Sequence, residues 1–207
     1  MFPVGDDNSN RKRFPFFTYA LLLANGFLFY LELSRGSAFI EQWAFVPSRF
    51  IANPFSEFLT VYSSMFLHAG WLHLGSNMIF LLIFGDNVES RFGHLKFLIF
   101  YLLSGTAAVF AQFALNVGSS VPFLGASGAI AGVLAGYLLL FPKNKIRVLM
   151  GLWVIRLPAI IVIGIWFILQ FMSSLDAFSS NLDGGGIAYI AHVGGFLAGF
   201  LLTFFFK

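Results

Sequence analysis

Apolar runs of about 20 residues, each long enough to cross the hydrocarbon core of a bilayer, recur six times in this chain of 207 residues. They fall at roughly Phe14–Leu33, Met65–Phe84, Leu95–Leu115, Phe123–Phe141, Val148–Met172 and Ile187–Phe206. In lipid a backbone must satisfy its own hydrogen bonds, and a run of this length does so as a helix. Only 10% of the residues are charged, against about a quarter in an ordinary soluble domain, and mean hydropathy is +0.85. The segments between the runs are too short for a separate soluble domain. The expected fold class is all-α and integral to the membrane: a six-transmembrane-helix bundle over residues 14–207, preceded by a polar, disordered cytoplasmic N-terminus at residues 1–13.

The first run follows Arg11-Lys12-Arg13 as a secretory signal would, but it is longer than a signal's apolar core and lacks a small-x-small cleavage site. It reads as a retained span. The absence of cysteine excludes disulfides, thiol catalysis and thiolate metal sites. With the N-terminus cytoplasmic, the inner segments hold Arg11, Lys12, Arg13, Arg91, Lys96, Lys143, Lys145, Arg147, Arg156 and Lys207, and the outer ones only Arg35 and Arg49. Ten against two is a strong positive-inside bias. The net charge of +3 follows from that topology, so no nucleic-acid partner is expected. Residues 34–64, rich in aromatics, are expected along the outer interface. Short inner loops are expected at Gly85–His94 and Pro142–Arg147. A last outer connection, Ser173–Gly186, ends in the flexible Gly184-Gly185-Gly186. The acidic residues are placed outside the spans.

Two peptides set reactive side chains into this apolar background: Gly125-Ala126-Ser127-Gly128 and Ala191-His192-Val193-Gly194-Gly195. The second, fourth and sixth spans run in the same direction, and their polar residues can be compared by depth. His73, Ser127 and His192 each lie 15 residues before an inner landmark: Val88, Pro142 and Lys207. At about 1.5 Å per residue that is about 22 Å from the inner surface. Within a core about 30 Å thick, it is roughly 8 Å below the outer face. Asn77 is one helical turn from His73 on the same face. Gly128, Gly132 and Gly136 form a doubled small-xxx-small stripe, and His192, Gly195 and Gly199 share a face of the last span. Pressing these stripes together brings His192 towards Ser127.

That constellation points to a hydrolase. A serine hydroxyl needs a base to take its proton, and neutral His192 could do so and then protonate a leaving amine. No carboxylate is placed at matching depth (Asp183 falls in the outer loop), so a Ser–His dyad is expected. His73, Asn77 and the Ser127 backbone N–H, at a helix N-terminus, are candidate donors to an oxyanion. Taken singly each has a blander role: serine beside glycine as packing, asparagine as interhelical glue. Their joint depth on three co-oriented helices is what points to chemistry. His68 is expected to be a structural donor or loop anchor and His94 to be inert. Asp86, Glu89 and Arg91 read as an ion-pair or capping cluster.

These residues resemble the rhomboid intramembrane serine proteases across roughly residues 14–206, through His68-Ala-Gly-Trp-Leu-His73-Leu-Gly-Ser-Asn77, Glu89-Ser-Arg91-Phe-Gly93, Gly125-Ala-Ser127-Gly128 and Ala191-His192-Val-Gly-Gly195-Phe-Leu-Ala-Gly199. The resemblance implies a minimal six-helix bacterial or archaeal type in the cell membrane. Ser127 would be the nucleophile and His192 the base, with His73 and Asn77 aiding the oxyanion hole; His68, Gly125, Gly128, Gly195 and Gly199 would be structural near the site. It implies no metal or other cofactor, and single-span or multi-span membrane proteins as substrates, cut near the outer ends of their spans. Entry past the fifth helix and a mobile last outer loop at Gly184–Gly186 are the corresponding expectations. Two departures stand out. Many relatives carry Trp-Arg where this chain has Leu59-Thr60, so the outer loop is expected to be anchored differently. Some carry an aromatic on the histidine where this chain has Ala131, so His192 must be held by something else.

The alternatives are a non-proteolytic relative that binds client transmembrane helices, which typically loses the serine or histidine, and a solute transporter, which would carry ion-coordinating acids at mid-membrane.

Overall fold

The computed structural model describes residues 2–9, 11–179 and 189–207. Long helices build the frame: α1 (Phe16–Arg35), α8 (His94–Leu115), α9 (Ser127–Leu140), α10 (Ala159–Ser179) and α11 (Tyr189–Phe206). Between α1 and α6 lie four short helices: α2 (Ser37–Trp43), α3 (Pro47–Ala52), α4 (Pro54–Glu57) and α5 (Thr60–Ser63). Helix α6 (Trp71–Phe80) passes through one wide turn, Leu81–Gly85, into α7 (Asp86–Phe92). Of these, α1, α8 and α11 are each long and apolar enough to cross a bilayer alone. The α4-to-α7 stretch passes the same test as a pair bent by 79°, while α9 and the described part of α10 are shorter apolar helices. The fold is thus a helical, multi-pass membrane fold.

Several boundaries differ from those expected. Residues 1–13 are not simply a disordered tail, because β1 (Phe2–Gly5) pairs antiparallel with β2 (Lys145–Met150), which pairs with β3 (Trp153–Pro158). This three-stranded sheet is an addition to the all-α expectation. The run at Val148–Met172 is therefore a hairpin followed by a helix, and the inner connection extends well beyond Arg147. Period-two alternation accounts for it: Ile146 and Val148 are buried while Lys145 and Arg147 are exposed. Gly151, at φ +60°, turns the chain between the strands.

The inner loop expected at Gly85–His94 is mostly helix as far as Phe92, with Gly93 at φ +88° making the turn into α8. Its acids permit this because they are satisfied in place. The buried Glu89 carboxylate accepts hydrogen bonds from the Phe17 and Thr18 N–H groups and the Thr18 hydroxyl, at 2.8, 2.7 and 2.7 Å, capping the α1 N-terminus. His94 is not inert, since its Nδ1 lies 2.7 Å from the same carboxylate. Arg11 pairs with Asp86 at 3.0 Å. The expectation that no acid lies within a span fails at Glu32, buried near the C-terminal end of α1, whose carboxylate accepts the His68 N–H at 3.1 Å.

The core is a sandwich of α8, α9 and α11, made possible by small residues. A Cβ added at Gly195 would overlap the Gly128 carbonyl, and one at Gly199 the Gly132 backbone. The opposite side of the α9 glycines is filled by Ala108 and Ser104 of α8. The stripes at Gly128/Gly132 and Gly195/Gly199 thus pack backbone against backbone, as expected.

Candidate active site

The site forms where α6, α9, α10 and α11 converge. Helix α9 begins at Ser127 because Gly125, at φ +129°, ends the preceding extended segment. That segment is pinned by the connection between α1 and α6: Phe45 and Phe123 exchange backbone hydrogen bonds of 3.1 and 2.7 Å, and the Gly125 N–H donates to the Ser64 carbonyl at 2.8 Å. The connection that supplies Phe45 and Ser64 is itself clasped by Arg49. Its guanidinium donates to the Glu41 and Ala44 carbonyls and pairs with Glu57 at 3.2 Å. Arg49 is the anchor at a loop where Leu59-Thr60 offers none; Leu59 is exposed and Thr60 bonds only locally, to the Glu57 carbonyl.

Ser127 and His192 meet. The His192 Nε2 lies 2.7 Å from the Ser127 Oγ, across the close α9–α11 contact. His192 is buried and its other ring nitrogen, Nδ1, lies 2.7 Å from Oε1 of Gln170 on α10. The indole of Trp166, one turn earlier on α10, lies 6.0 Å from the imidazole with an interplanar angle of 38°. Gln170 and Trp166 thus hold the ring where Ala131, fully buried on α9, offers no aromatic. Neither residue is singled out by the sequence argument. Gln170 is the only amide in the α10 sequence, and the i,i+4 spacing to Trp166 puts the two on one face.

His73 and Asn77 follow on α6. An added Cβ at Gly125 would sit 2.9 Å from both Cε1 and Nε2 of His73 and 3.6 Å from the Ser127 Oγ, so the imidazole lies directly against the serine turn. Gly125 is required twice, by its backbone angle and by the ring beside it. The His73 Nδ1 accepts the Ala69 N–H at 3.3 Å, which leaves Nε2 to carry the proton and face the site as a donor. The Asn77 Nδ2 is buried with no hydrogen-bond partner among the described residues, a donor that lacks an acceptor in the resting site. His68 is fully buried, its ring 5.1 Å from that of His73. It anchors the turn through its backbone N–H to Glu32. The Gly184–Gly186 segment and Asp183 lie outside the described residues.

Comparison with known proteins gives the family. The family model described as "Rhomboid domain" matches residues 56–207. "Rhomboid protein 1, mitochondrial" of Saccharomyces cerevisiae is 30% identical over 188 residues, 88% of this chain and 51% of its own length. "Rhomboid protease GluP" of Bacillus subtilis is 31% identical over 189 residues, 90% of this chain and 34% of its own length. "RHOMBOID-like protein 6, mitochondrial" of Arabidopsis thaliana is 31% identical over 147 residues, 69% of this chain and 41% of its own length. The chain therefore spans only about a third to a half of these relatives. A domain match over most of the chain, together with 30% identity across nearly nine-tenths of it, places this protein in the rhomboid family.

Proposed function

We propose that this chain is an intramembrane serine endopeptidase that cleaves the transmembrane segments of other membrane proteins. The observation that carries the reading is the 2.7 Å contact between the Ser127 Oγ and the His192 Nε2. The B. subtilis relative is named a protease. Ser127 donates its proton to Nε2 as the Oγ attacks the scissile carbonyl carbon. The carbonyl oxygen, now anionic, accepts hydrogen bonds from the His73 Nε2–H, the Asn77 Nδ2 and the Ser127 N–H, which belongs to the open first turn of α9. Collapse breaks the C–N bond, and His192 passes the proton to the departing amine. Water, deprotonated by the same imidazole, then hydrolyses the acyl ester. No metal or cofactor takes part.

The bundle has six transmembrane helices in this reading, with α9 as a short, buried span entered through the extended segment before Gly125. Both termini face the cytoplasm and the site opens towards the outer face of the cell membrane. The ten-to-two distribution of basic residues supports that orientation. Two of the three relatives above are described as mitochondrial, where the same rule relates the termini to the compartment that keeps the basic loops.

The test is labelling of the detergent-solubilised protein with a fluorophosphonate probe, beside Ser127→Ala and His192→Ala. Labelling of wild type alone supports the dyad. His73→Ala and Asn77→Ala should each slow cleavage of a transmembrane substrate by about 10²–10³, the cost of one oxyanion donor. A folded wild type that no fluorophosphonate labels would point instead to a rhomboid that binds client helices without cutting them.

A further inference from the structure

We infer that Gln170 is a positioning residue: by accepting the Nδ1 proton of His192, it holds the imidazole in the one tautomer that can activate Ser127. This role rests on the serine–histidine reading above and on the geometry of α10. A neutral imidazole carries one proton, and the nitrogen without it is the acceptor. If Nδ1 is the donor, Nε2 is free to take the serine proton; if Nε2 holds the proton, the base is blocked. A side-chain amide oxygen can only accept, and Gln170 Oε1 sits 2.7 Å from Nδ1. No carboxylate competes for that nitrogen among the described residues, so the amide oxygen occupies the place that an aspartate takes in a triad, without its charge.

This hydrogen bond crosses from α10 to α11, while the dyad itself lies on α9 and α11. The same face of α10 carries Trp166 against the imidazole. Trp166 also lines a small apolar cleft with Pro3, Phe80, Phe84, Leu134, Val162 and Ile163, within the core that α10 shares with the α6–α7 stretch. The seat of α10 therefore decides the protonation pattern of the base. If this helix moves outward by one hydrogen-bond length, the contact that selects the tautomer is lost, though Ser127 and His192 have not moved.

The test compares wild type, Gln170→Leu and Gln170→Glu, each checked for an unchanged thermal transition in detergent. Gln170→Met serves if the leucine variant does not fold. One readout is the rate of fluorophosphonate labelling at Ser127. The other is ¹⁵N NMR of protein labelled in its histidine rings, with the His192 signals assigned through His192→Ala. Wild type should show His192 protonated at Nδ1. Gln170→Leu should lose that single form and label about tenfold more slowly, the effect of one hydrogen bond on the barrier. Gln170→Glu, which keeps an acceptor at the same reach, should restore both. Wild-type His192 protonated at Nε2 overturns the inference, as does an unchanged tautomer and rate in Gln170→Leu. A Gln170-dependent tautomer in a wild type that no probe labels would refute the nucleophile reading and leave this one standing.

Discussion

The α9–α11 contact makes Gly195→Ala the most informative single substitution. A Cβ at Gly195 would stand 2.9 Å from the Gly128 carbonyl carbon and closer still to its oxygen, and both are backbone atoms that no rotamer change can move. Carbon–carbon contacts settle at about 3.5–4.0 Å, so the two helices must part by at least about 0.6–1.1 Å. Overpacking of this kind costs about 1–3 kcal/mol. The chemical cost is of the same order. His192 is three residues from Gly195 on the same face and moves with α11, so its 2.7 Å contact with Ser127 opens to roughly 3.3–3.8 Å, at or past the limit of a hydrogen bond. A displacement of about 1 Å at a reacting pair costs about 10²-fold in rate. The control is Gly26→Ala on α1, where an added Cβ meets nothing within 4 Å. Fluorophosphonate labelling rates and thermal denaturation in one detergent decide the matter. Gly195→Ala should label about 100-fold more slowly and melt earlier, while Gly26→Ala should behave as wild type. Wild-type labelling by Gly195→Ala would refute the claim that backbone contact between these helices sets the dyad distance.

Burial, reinforced by the Asp86 and Asp7 carboxylates and opposed by the Tyr137 hydroxyl and Arg147, pushes Asp6 up from 3.8 to about 6. Its protonated form is therefore favoured when β1 is docked, so this contribution is fully present below about pH 4 and is lost as pH rises through about 6. Amide protection factors at residues 2–7, with the intrinsic pH dependence of exchange divided out, should be higher at pH 5 than at pH 7, and Asp6→Asn should remove the difference. Glu89→Ala should lower stability by at least about 2 kcal/mol, because three donors at the start of α1 lose their acceptor; a thermal transition equal to wild type would contradict that.

The parts of the fold legible in the sequence are those in which one physical demand dominates. Long apolar runs become helices because lipid offers the backbone no other partner, and α1, α8 and α11 appear close to their expected limits. The hairpin at β2–β3 was hidden because its apolar tip, Leu149 to Val154, continues without a polar break into α10, so window length outweighed the period-two alternation beside it. β1 escaped notice for a different reason. Its four residues form a strand only because β2 lies alongside, and nothing local requires it. In the site, Ser127, His192, His73 and Asn77 were visible because polar groups in an apolar helix are conspicuous, and the equal spacing of Ser127, His192 and His73 from the expected inner ends follows from residue count alone.

What the sequence determined by itself was the helix and the face that carry each reactive group, because periodicity is a local property of a helix. What only the tertiary structure decided was which groups touch. The approach of α11 to α9 sets the Ser127–His192 distance, and the seating of α10 brings Gln170 and Trp166 to the imidazole in place of the aromatic that Ala131 lacks. Contacts between helices depend on rotations about several axes at once, and no single helix encodes them.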